Sequence, residues 1–563
     1  MHKINWQLLK RFFVLALPYW FSADKKRGRW LVLFLIVLLI GDTQFNVLFN
    51  QQSGEFTSAL AAQDAPRFWA SIRKFFLLLV VAVPIYSYYY FVRDQLGLGW
   101  RRWLTDSFLE RYFGNRGYYR LTAKPEVDNP DQRISEDIDA FTQRSLTFLL
   151  LLLGGVFQFV AFSRVLWGIS GYLVLFVAAY AIAWTTITFR VFGEKMVTLQ
   201  FNQRRREADF RYSLMRIREN AEAIALYQGE PQEKRHVQRV FARLYANYDH
   251  LIRWTLRLNF FYYGNSLLTL VMPTLIIAPR VLSGELEVGS IVQATGAFTS
   301  ILASLTILVD NLDGLSRFAA GIGRLEALAA GVAPEPIRAE HIVTREADAI
   351  RFDAVTVQTP GGERTLVKDL TVAVSPGEGL MIVGASGLGK SSILRVLAGL
   401  WDAGTGELQR PKAEEMLFLP QNAYMVAGSL RTQLHYPSLD RETTAAELRA
   451  VLATVNLPDL EERCGGFDED FDFEKILSVG ERQRLAVARV LLQHPRFVLL
   501  DESTSALDRE NEAALYEKLM GTSTTLVSVS HHPGLVKYHS QVLELTGGGG
   551  WRLHKAGEFR FVE

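Results

Sequence analysis

The sequence predicts an α-helical membrane domain followed by an α/β domain, and two observations carry this prediction. Apolar runs of membrane-spanning length are confined to residues 1–331, whereas residues 350–563 have the mixed composition of a water-soluble α/β domain. In the second region, a glycine-rich loop at residues 384–391 follows a strand-like segment and precedes a helix-like one. A chain of 563 residues is too long for one domain, and a polar linker at residues 332–349 separates the two regions.

Six apolar segments are long enough to cross a bilayer, whose core of about 30 Å needs about 20 apolar residues per helix. They are residues 30–50, 74–92, 145–167, 171–191, 259–279 and 289–309. Basic residues cluster before the first span, after the second and after the fourth, which by the positive-inside rule places both termini in the cytoplasm. Residues 93–143 and 192–256 are then long helical extensions on that side.

Residues 5–22 are expected to form an amphipathic helix along the inner membrane face rather than a frayed terminus. Arg11 and Pro18 interrupt this first apolar stretch, and no small-residue cleavage site follows it. A cleavable signal peptide is therefore not expected.

Charge and cysteine content exclude other classes of protein. The 61 basic and 59 acidic residues leave a net charge of only +2, so no nucleic-acid partner is expected. Cys464 is the only cysteine, which rules out a disulfide framework and indicates a reduced thiol.

Polar side chains interrupt three of the six spans, and Asp42 in the first is the sharpest candidate for a cavity because an unpaired carboxylate in hydrocarbon is expensive. The others are Gln44, Asn46 and Asn50 in the first span, Asn259 and Asn265 in the fifth, Gln293, Thr295, Thr299 and Ser300 in the sixth, and Asp310, Asn311 and Asp313 at its inner end. Two interpretations remain open: hydrogen bonds between helices of a dimer, or the lining of a substrate path.

The loop at residues 384–391 has the pattern of a phosphate-binding P-loop. Its glycines let backbone N–H groups turn inward around phosphates, Lys390 is expected to reach the β- and γ-phosphates, and the Ser391 hydroxyl is expected to bind Mg²⁺. The dipole of the following helix adds to the attraction for phosphate. The residues predicted to hold ATP are Gly384, Ala385, Ser386, Gly387, Leu388, Gly389, Lys390, Ser391 and Ser392.

Four further residues are predicted to act on the bound nucleotide. Asp501 ends an apolar strand and is expected to hold Mg²⁺, and the adjacent Glu502 is placed to polarise the attacking water. We expect His531, rather than its neighbour His532, to contact the γ-phosphate because His531 directly follows the strand at residues 525–529. Gln421 is the predicted sensor that joins Mg²⁺ and the water to the membrane domain.

A second anion site is predicted at residues 477–481, where Ser478 and backbone N–H groups open a helix. One chain then carries two half-sites for phosphate. If they do not meet within one domain, two chains pair head to tail and complete each other's sites, so a homodimer is expected.

Together these elements resemble the ATP-binding cassette (ABC) transporter family over nearly the whole chain. The order of the P-loop, Gln421, residues 477–481, Asp501-Glu502 and His531 is the family's order, and residues 505–508 are similar to its D-loop. The resemblance implies a membrane domain of the exporter-type ABC fold followed by an α/β ATP-binding cassette domain. It also implies that Ser478, Val479, Gly480, Glu481 and Asp508 contact nucleotide.

Two features depart from the family pattern. Val479 stands where the signature usually has a glycine, whereas Ser478 and Gly480 remain. No aromatic residue suited to stack on adenine is found near residues 358–360, so none is assigned to that role.

Several segments are similar to one branch of the family, which holds peroxisomal fatty-acyl half-transporters and bacterial transporters associated with uptake of cobalamin, bleomycin and antimicrobial peptides. The segments are residues 129–134 with Glu136 and Asp137, 207–212, 220–230, 398–401, 424–430 and 537–539. This resemblance implies six membrane helices per subunit, with cytoplasmic extensions that carry coupling helices.

The sequence therefore predicts an ATP-driven transporter that works as a homodimer, surrounded by lipid, in a bacterial inner membrane. The resemblance implies uptake of bulky hydrophilic compounds such as corrinoids or peptides. The alternative is an exporter or flippase of lipid-like or acyl-CoA substrates. A non-transport ATPase is disfavoured by the six spans on the same chain.

Overall fold

The computed structural model describes residues 6–122, 124, 127–333, 341–438 and 442–561, which form two compact units, Met1–Pro334 and Glu335–Glu563. The division falls inside the predicted linker at residues 332–349. The α/β unit nevertheless begins earlier than predicted, because strand Val343–Glu346 lies within that linker and pairs with a later strand. All four of its side chains are exposed, so the strand has no apolar alternation for a sequence pattern to detect.

The first unit is entirely helical in its described part. Its α-helices are α1 Trp6–Phe21, α2 Lys25–Ala61, α3 Ala65–Phe113, α4 Gly117–Leu121, α5 Pro130–Gln132, α6 Ile138–Ile169, α7 Gly171–Thr188, α8 Glu194–Glu219, α9 Ala221–Leu226, α10 Glu230–Leu282, α11 Gly289–Asp310 and α12 Leu312–Val332. A 3₁₀ turn, Gly114–Arg116, and two π-helical turns, Arg133–Asp137 and Phe189–Gly193, connect some of them.

Six helical stretches are long and apolar enough to span a membrane, which confirms the predicted number. They are Lys25–Ala61, Ala65–Leu121, Pro130–Ile169, Gly171–Gly193, Glu230–Leu282 and Gly289–Ile307. Most extend well beyond a bilayer-length segment, as expected for helices that continue into water. Short turns separate these helices. After the first turn, Asp64 caps α3 by accepting a hydrogen bond from the Arg67 backbone N–H at 3.0 Å.

The predicted N-terminal helix forms as α1 and has two distinct faces. Leu15, Ala16 and Tyr19 are buried against the membrane unit, and the Tyr19 ring stacks on Trp100 with ring centroids 5.7 Å apart. Trp6 and Phe21 are exposed on the other side. Both faces therefore carry apolar side chains, and the exposed ones are available to lipid.

Helices α2 and α11 approach closely because glycines line their contact. A Cβ atom on Gly289 would lie 1.9 Å from the Gly54 carbonyl oxygen, and one on Gly296 would lie 2.1 Å from Asn50 Oδ1. The Gly289 backbone N–H donates to Ser58 Oγ at 3.0 Å. Beside this contact, Arg67 forms ion pairs with Glu55 and Glu287, which joins α3 to α2 and to the turn between α10 and α11.

The second unit contains three sheets and seven α-helices among its described residues. The strands are β1 Val343–Glu346, β2 Ile350–Gln358, β3 Thr365–Val374, β4 Leu380–Gly384, β5 Gly404–Arg410, β6 Met416–Leu419, β7 Gly428–Ser429, β8 Asp470–Phe471, β9 Phe497–Asp501, β10 Thr525–Val529, β11 Gln541–Gly547 and β12 Gly550–Lys555. The helices are α13 Lys390–Leu397, α14 Leu430–His435, α15 Ala445–Thr454, α16 Leu460–Arg463, α17 Phe473–Ile476, α18 Val479–Gln493 and α19 Arg509–Met520.

The six-stranded sheet has the order β12-β11-β4-β10-β9-β6 and is parallel except for the edge strand β12. One apolar core packs α13 between this sheet and the four-stranded sheet β1-β5-β2-β3. The other core covers the opposite face with α14, α15, α18 and α19. Because β4, β9 and β10 are adjacent and parallel, the loops that follow them meet at one edge of the sheet.

Candidate nucleotide site and membrane cavities

The loop between β4 and α13 has a backbone that only glycine adopts easily. Gly384, Gly387 and Gly389 have φ angles of 144°, 79° and 104°. A Cβ atom on Gly384 would lie 2.8 Å from the Leu545 carbonyl oxygen, so the close approach of β11 also requires glycine there. Leu388 is half-buried in the apolar core and anchors the loop.

Lys390 and Ser391 stand at the first turn of α13, the end of the helix that attracts anions. The Lys390 ammonium donates to the carbonyl oxygens of Gly384 at 2.8 Å and Ala385 at 3.1 Å, inside the curve of the loop. Burial lowers the pKa of Lys390, and the nearby Glu502 and Asp501 oppose this effect. Ala385, Ser386 and Gly387 are exposed, whereas Ser392 is buried in α13.

The Ser391 hydroxyl donates to Asp501 Oδ1 at 2.8 Å, which joins the P-loop to the end of β9. Burial raises the pKa of Asp501, and the Ser391 hydrogen bond opposes this rise. A hydroxyl and a carboxylate side by side provide the oxygen ligands that Mg²⁺ prefers. The pair is therefore suited to hold the magnesium ion that accompanies a nucleoside triphosphate.

Glu502 lies between the two other predicted catalytic side chains. Gln421 Nε2 donates to Glu502 Oε2 at 3.1 Å, and His531 Nε2 lies 3.2 Å from Glu502 Oε1. Glu502 itself has a φ angle of 49°, in the left-handed region that is uncommon for a residue other than glycine. Such strain persists only where the surrounding structure fixes it, and it aims this carboxylate into the cluster.

His532 lies in a separate network that the sequence analysis missed. Its Nδ1 is 2.6 Å from Glu512 Oε2, and the Thr504 hydroxyl donates to Glu512 Oε1 at 2.6 Å. Glu512 is only 3% exposed. The two adjacent histidines thus have different carboxylate partners, Glu502 for His531 and Glu512 for His532.

Gln483 is a second residue that sequence reasoning missed. It is 2% exposed, accepts a hydrogen bond from the Ala506 backbone N–H at 3.1 Å, and donates to the Gln421 carbonyl oxygen at 3.3 Å. One amide therefore fixes α18 to the segments that carry Gln421 and Asp508. The available signal was an amide in a helix whose buried residues are otherwise apolar except for Arg489.

Residues 478–481, where a second anion site is predicted, form the N-terminus of α18. The Ser478 hydroxyl accepts from the Glu481 backbone N–H at 3.3 Å, and the Glu481 carboxylate accepts from the Ser478 backbone N–H at 2.8 Å, a reciprocal capping box. Arg463 pairs with Glu481 at 2.6 Å. Val479 is 47% exposed, so its side chain replaces no core contact.

Among the residues that the structure describes, no hydrogen bond or ion pair joins residues 477–481 to the P-loop at 384–391. Asp508 caps α19 instead, where it accepts from the backbone N–H groups of Glu510 at 3.1 Å and Asn511 at 2.9 Å. These hydrogen bonds lower the pKa of Asp508.

In the membrane unit, the predicted polar residues divide between helix contacts and cavities. Asn50 Nδ2 donates to the Gln293 carbonyl oxygen at 3.0 Å and so joins α2 to α11. Asp42 accepts from Asn46 Nδ2 at 3.1 Å and lines a cavity of about 200 Å³ with Tyr86. Gln44 and Asn259 are exposed, and the side chains of Asp310 and Asp313 lie outside the described residues.

Two further cavities differ in charge. One of about 340 Å³ near the start of α6 is lined by Arg144, Arg317 and Arg324 together with Glu136 and Asp137. The other, of about 430 Å³, lies between α7, α10 and α11 and includes Asn265 and Thr299. Asn50 thus joins two helices of the same chain, whereas Asn265 and Thr299 line a cavity.

A P-loop ATPase whose polypeptide also contains six membrane-length helices defines the class of ATP-driven membrane transporters. Comparison with known proteins agrees: residues 17–282 match the family described as ABC transporter transmembrane region 2, and residues 367–505 match the family described as ABC transporter. The chain belongs to the ABC transporter family.

Three relatives illustrate its place in that family. An uncharacterized ABC transporter ATP-binding protein of Synechocystis is 40% identical over 93% of this chain and 81% of the relative. ABC transporter D family member 2, chloroplastic, of Arabidopsis thaliana is 33% identical over 96% of this chain and 86% of the relative. A lysosomal cobalamin transporter of Mus musculus is 30% identical over 98% of this chain and 97% of the relative.

Proposed function

We propose that two copies of this chain form a homodimer that couples ATP hydrolysis to uptake of a bulky hydrophilic compound, such as a corrinoid or a peptide. The observation that carries this proposal is the position of Glu502 between Gln421 and His531, at the edge of the sheet that also holds the P-loop. A carboxylate so placed can accept a proton from an attacking water. The similarity to a cobalamin transporter supports the choice of substrate.

In this mechanism each residue has a separate task. Lys390 and the loop backbone hold the phosphates, and Ser391 and Asp501 hold Mg²⁺ together with Gln421. When bound, Mg²⁺ would neutralise part of the negative charge of the phosphates. Glu502 orients water for attack on the γ-phosphate, and His531 stabilises the charge that develops there.

The composite site of a homodimer follows from the separation of the two half-sites. Gly480 presents its backbone N–H in the first turn of α18, whereas the Ser478 N–H donates to the Glu481 carboxylate. Among the described residues, no hydrogen bond joins either residue to the P-loop of the same chain. In a head-to-tail pairing, the P-loop of a second copy brings the phosphates of its bound ATP to the start of this helix. We further propose that the protein lies in a bacterial inner membrane with its α/β unit in the cytoplasm, because the positive-inside rule assigns the side with the basic clusters to the cytoplasm.

A test of this function is transport of labelled cobalamin by the purified protein in sealed vesicles. Glu502→Gln should bind ATP like the parent but reduce ATP-dependent transport and hydrolysis by at least about 100-fold, because the general base is lost. Glu414→Gln is the matched control, because it makes the same carboxylate-to-carboxamide change at an exposed position of the same unit. Hydrolysis by Glu502→Gln at the parental rate would refute the assignment of the base.

Orientation of the vesicles tests the direction. Uptake into the cell corresponds to efflux of cobalamin from inside-out vesicles when ATP is supplied at the exposed α/β unit. Accumulation inside those vesicles would show export and contradict uptake.

A second candidate function is export or flipping of an acyl-CoA or a similar anionic lipid. The arginine-lined cavity of about 340 Å³ favours it, because three guanidinium groups can hold phosphate. Glu136 and Asp137 in the same lining offset part of this charge, and Arg324 already forms an ion pair with Asp137. Transport of oleoyl-CoA in preference to cobalamin would support this candidate.

A further inference from the structure

We propose that the cavity of about 430 Å³ between α7, α10 and α11 binds an uncharged part of the transported solute that carries amide or hydroxyl groups. This inference rests on the proposed transport function and names the substrate class for one site. Cavities of this size accommodate a large organic group.

The lining of this cavity, within the described residues, is polar without being charged. No Asp, Glu, Lys, Arg or His contributes to it. Its side chains with amide or hydroxyl groups are those of Tyr262, Asn265, Ser266, Thr269, Thr299 and Thr306. Thr269 and Thr306 donate to the carbonyl oxygens of Asn265 at 2.9 Å and Ala303 at 3.4 Å, so their hydroxyl protons are satisfied within the helices. The cluster therefore offers the cavity acceptor oxygens and the Asn265 amide at membrane depth.

Hydrogen bonds inside the lining fix which groups remain to bind a ligand. Tyr180 donates its hydroxyl to Asn265 Oδ1 at 2.5 Å, so the Asn265 amide N–H groups are donors for the cavity. The Thr299 hydroxyl donates to the Thr295 carbonyl oxygen at 2.9 Å, and its oxygen still accepts. The lining thus offers neutral donors beside neutral acceptors, which is the complement of an amide.

One wall of the cavity is aromatic and held in place by stacking. The Trp184 ring lies parallel to Phe261 with centroids 3.7 Å apart and planes 7° apart. Tyr262 meets the same indole edge-on, with centroids 6.3 Å apart. Side chains fixed in this way present flat apolar surface at little cost in entropy, so a solute with both ring and amide surface is matched.

The cavity lies well inside the membrane region. Thr299 is ten residues from the start of α11 at Gly289, which is about 15 Å at the rise of an α-helix. At that depth a phosphate without a cation is strongly disfavoured, so the cavity holds neither the phosphates of an acyl-CoA nor the phosphodiester of cyanocobalamin and takes only an uncharged part of a solute. A bare hydrocarbon tail is disfavoured too, because it would place apolar surface against the amide N–H groups of Asn265.

The test is equilibrium binding to the full-length protein in lipid nanodiscs without ATP, with three probes: cyanocobalamin, an uncharged blocked tripeptide and oleoyl-CoA. The double variant Asn265→Leu/Thr299→Val keeps the volume of both side chains and removes their hydrogen-bonding groups. We expect it to weaken binding of cyanocobalamin or the tripeptide at least about tenfold, because two hydrogen bonds are lost, and to leave oleoyl-CoA unchanged.

Thr274→Val is the matched control, because Thr274 lies on α10 outside the cavity lining and its hydroxyl donates to the carbonyl oxygen of Leu270. Basal ATPase activity and the elution volume of each variant show whether it has folded. Should the double variant misfold, Ser266→Ala, which removes one exposed hydroxyl, is measured in its place.

The proposal is overturned if the parent binds only oleoyl-CoA, or if the double variant binds the uncharged probes like the parent. Because binding is measured without ATP, its outcome is separate from that of transport. A parent that binds cyanocobalamin through this cavity but never moves it contradicts the proposed uptake alone. A parent that moves cyanocobalamin while the double variant keeps its affinity contradicts the cavity alone.

Discussion

At the scale of single residues, His539 shows how burial keeps an imidazole neutral in the α/β unit. Its Nδ1 lies 2.9 Å from the Leu535 carbonyl oxygen, so Nδ1 carries the proton and donates. Its Nε2 lies 2.8 Å from Ser528 Oγ and accepts from that hydroxyl. Burial lowers the pKa of His539 to about 4.

We therefore expect the α/β unit to lose stability as the pH falls from about 6.5 to about 4. The unfolded chain takes up a proton at His539 near pH 6.5 and the folded chain only near pH 4, so acid favours unfolding by up to about 3 kcal/mol. Hydrogen exchange of the β10 and β11 amides in the full-length protein measures this loss.

His539→Gln should remove this part of the pH dependence, since its amide does not titrate. His494→Asn is the control, because His494 is exposed and its left-handed backbone suits asparagine. An unchanged pH profile in His539→Gln would show that other groups carry the acid sensitivity.

The nucleotide-site residues differ in how far the sequence reveals them. Lys390 and Glu502 were predictable because each stands at a fixed distance from a glycine-rich loop or an apolar strand end. Gln483 and Glu512 were not, because each lies within a helix and gains its partners only when α18 or α19 packs beside the strand ends. The role of Val479 follows neither from the sequence nor from its exposed position.

At the scale of elements, the contact between α2 and α11 depends on glycine. Gly289 and Gly54 bring the two backbones so close that a Cβ on Gly289 would overlap the Gly54 carbonyl oxygen. Since backbone atoms cannot move aside as a flexible side chain can, one helix must shift to accept a larger residue.

Gly289→Ala should therefore lower the stability of the membrane unit by about 1–3 kcal/mol, which is the usual cost of overpacking. Gly264→Ala is a matched control, because nothing lies within 4 Å of a Cβ at that position of α10. It should be neutral or slightly stabilising, since alanine favours helix over glycine. The midpoint of thermal unfolding in one detergent compares the two, and equal midpoints would argue against the close contact.

The sequence predicts the elements unevenly. The six spans and the strands around the P-loop were predictable because long apolar runs leave little choice of structure. Strand β1 was not, because Val343–Glu346 is an exposed edge strand that pairs with β5 through its backbone and the Arg345–Glu407 ion pair, without apolar alternation. The α2–α11 contact was also hidden, since isolated glycines in an apolar span do not say which helix they face.

At the scale of the whole molecule, the proposed homodimer predicts how defects combine. In a head-to-tail pair, a Lys390→Ala chain beside a Ser478→Arg chain places both defects in one site and leaves the other site intact. A Lys390→Ala/Ser478→Arg chain beside a parental chain damages both sites. The first pair should therefore retain ATP hydrolysis and the second should lose it.

Two affinity tags on the two chains isolate each mixed pair for an ATPase measurement. If each chain instead held a complete site, the second pair would be active and the first inactive. Equal activity of both pairs would contradict a shared site, and a tagged chain that never recovers its partner would contradict the dimer.

Helix α10 adds a mechanical consequence to its role in the cavity. Of its 53 residues, the stretch from Pro231 to Pro273 contains no other proline and measures about 60 Å at the rise of an α-helix. Such a rod acts as a lever: a tilt of about 5° at one end carries the other by about 5 Å. Asn265 lies near the far end of this rod. A small tilt of the helix about its N-terminal end therefore moves Asn265 by more than the length of a hydrogen bond.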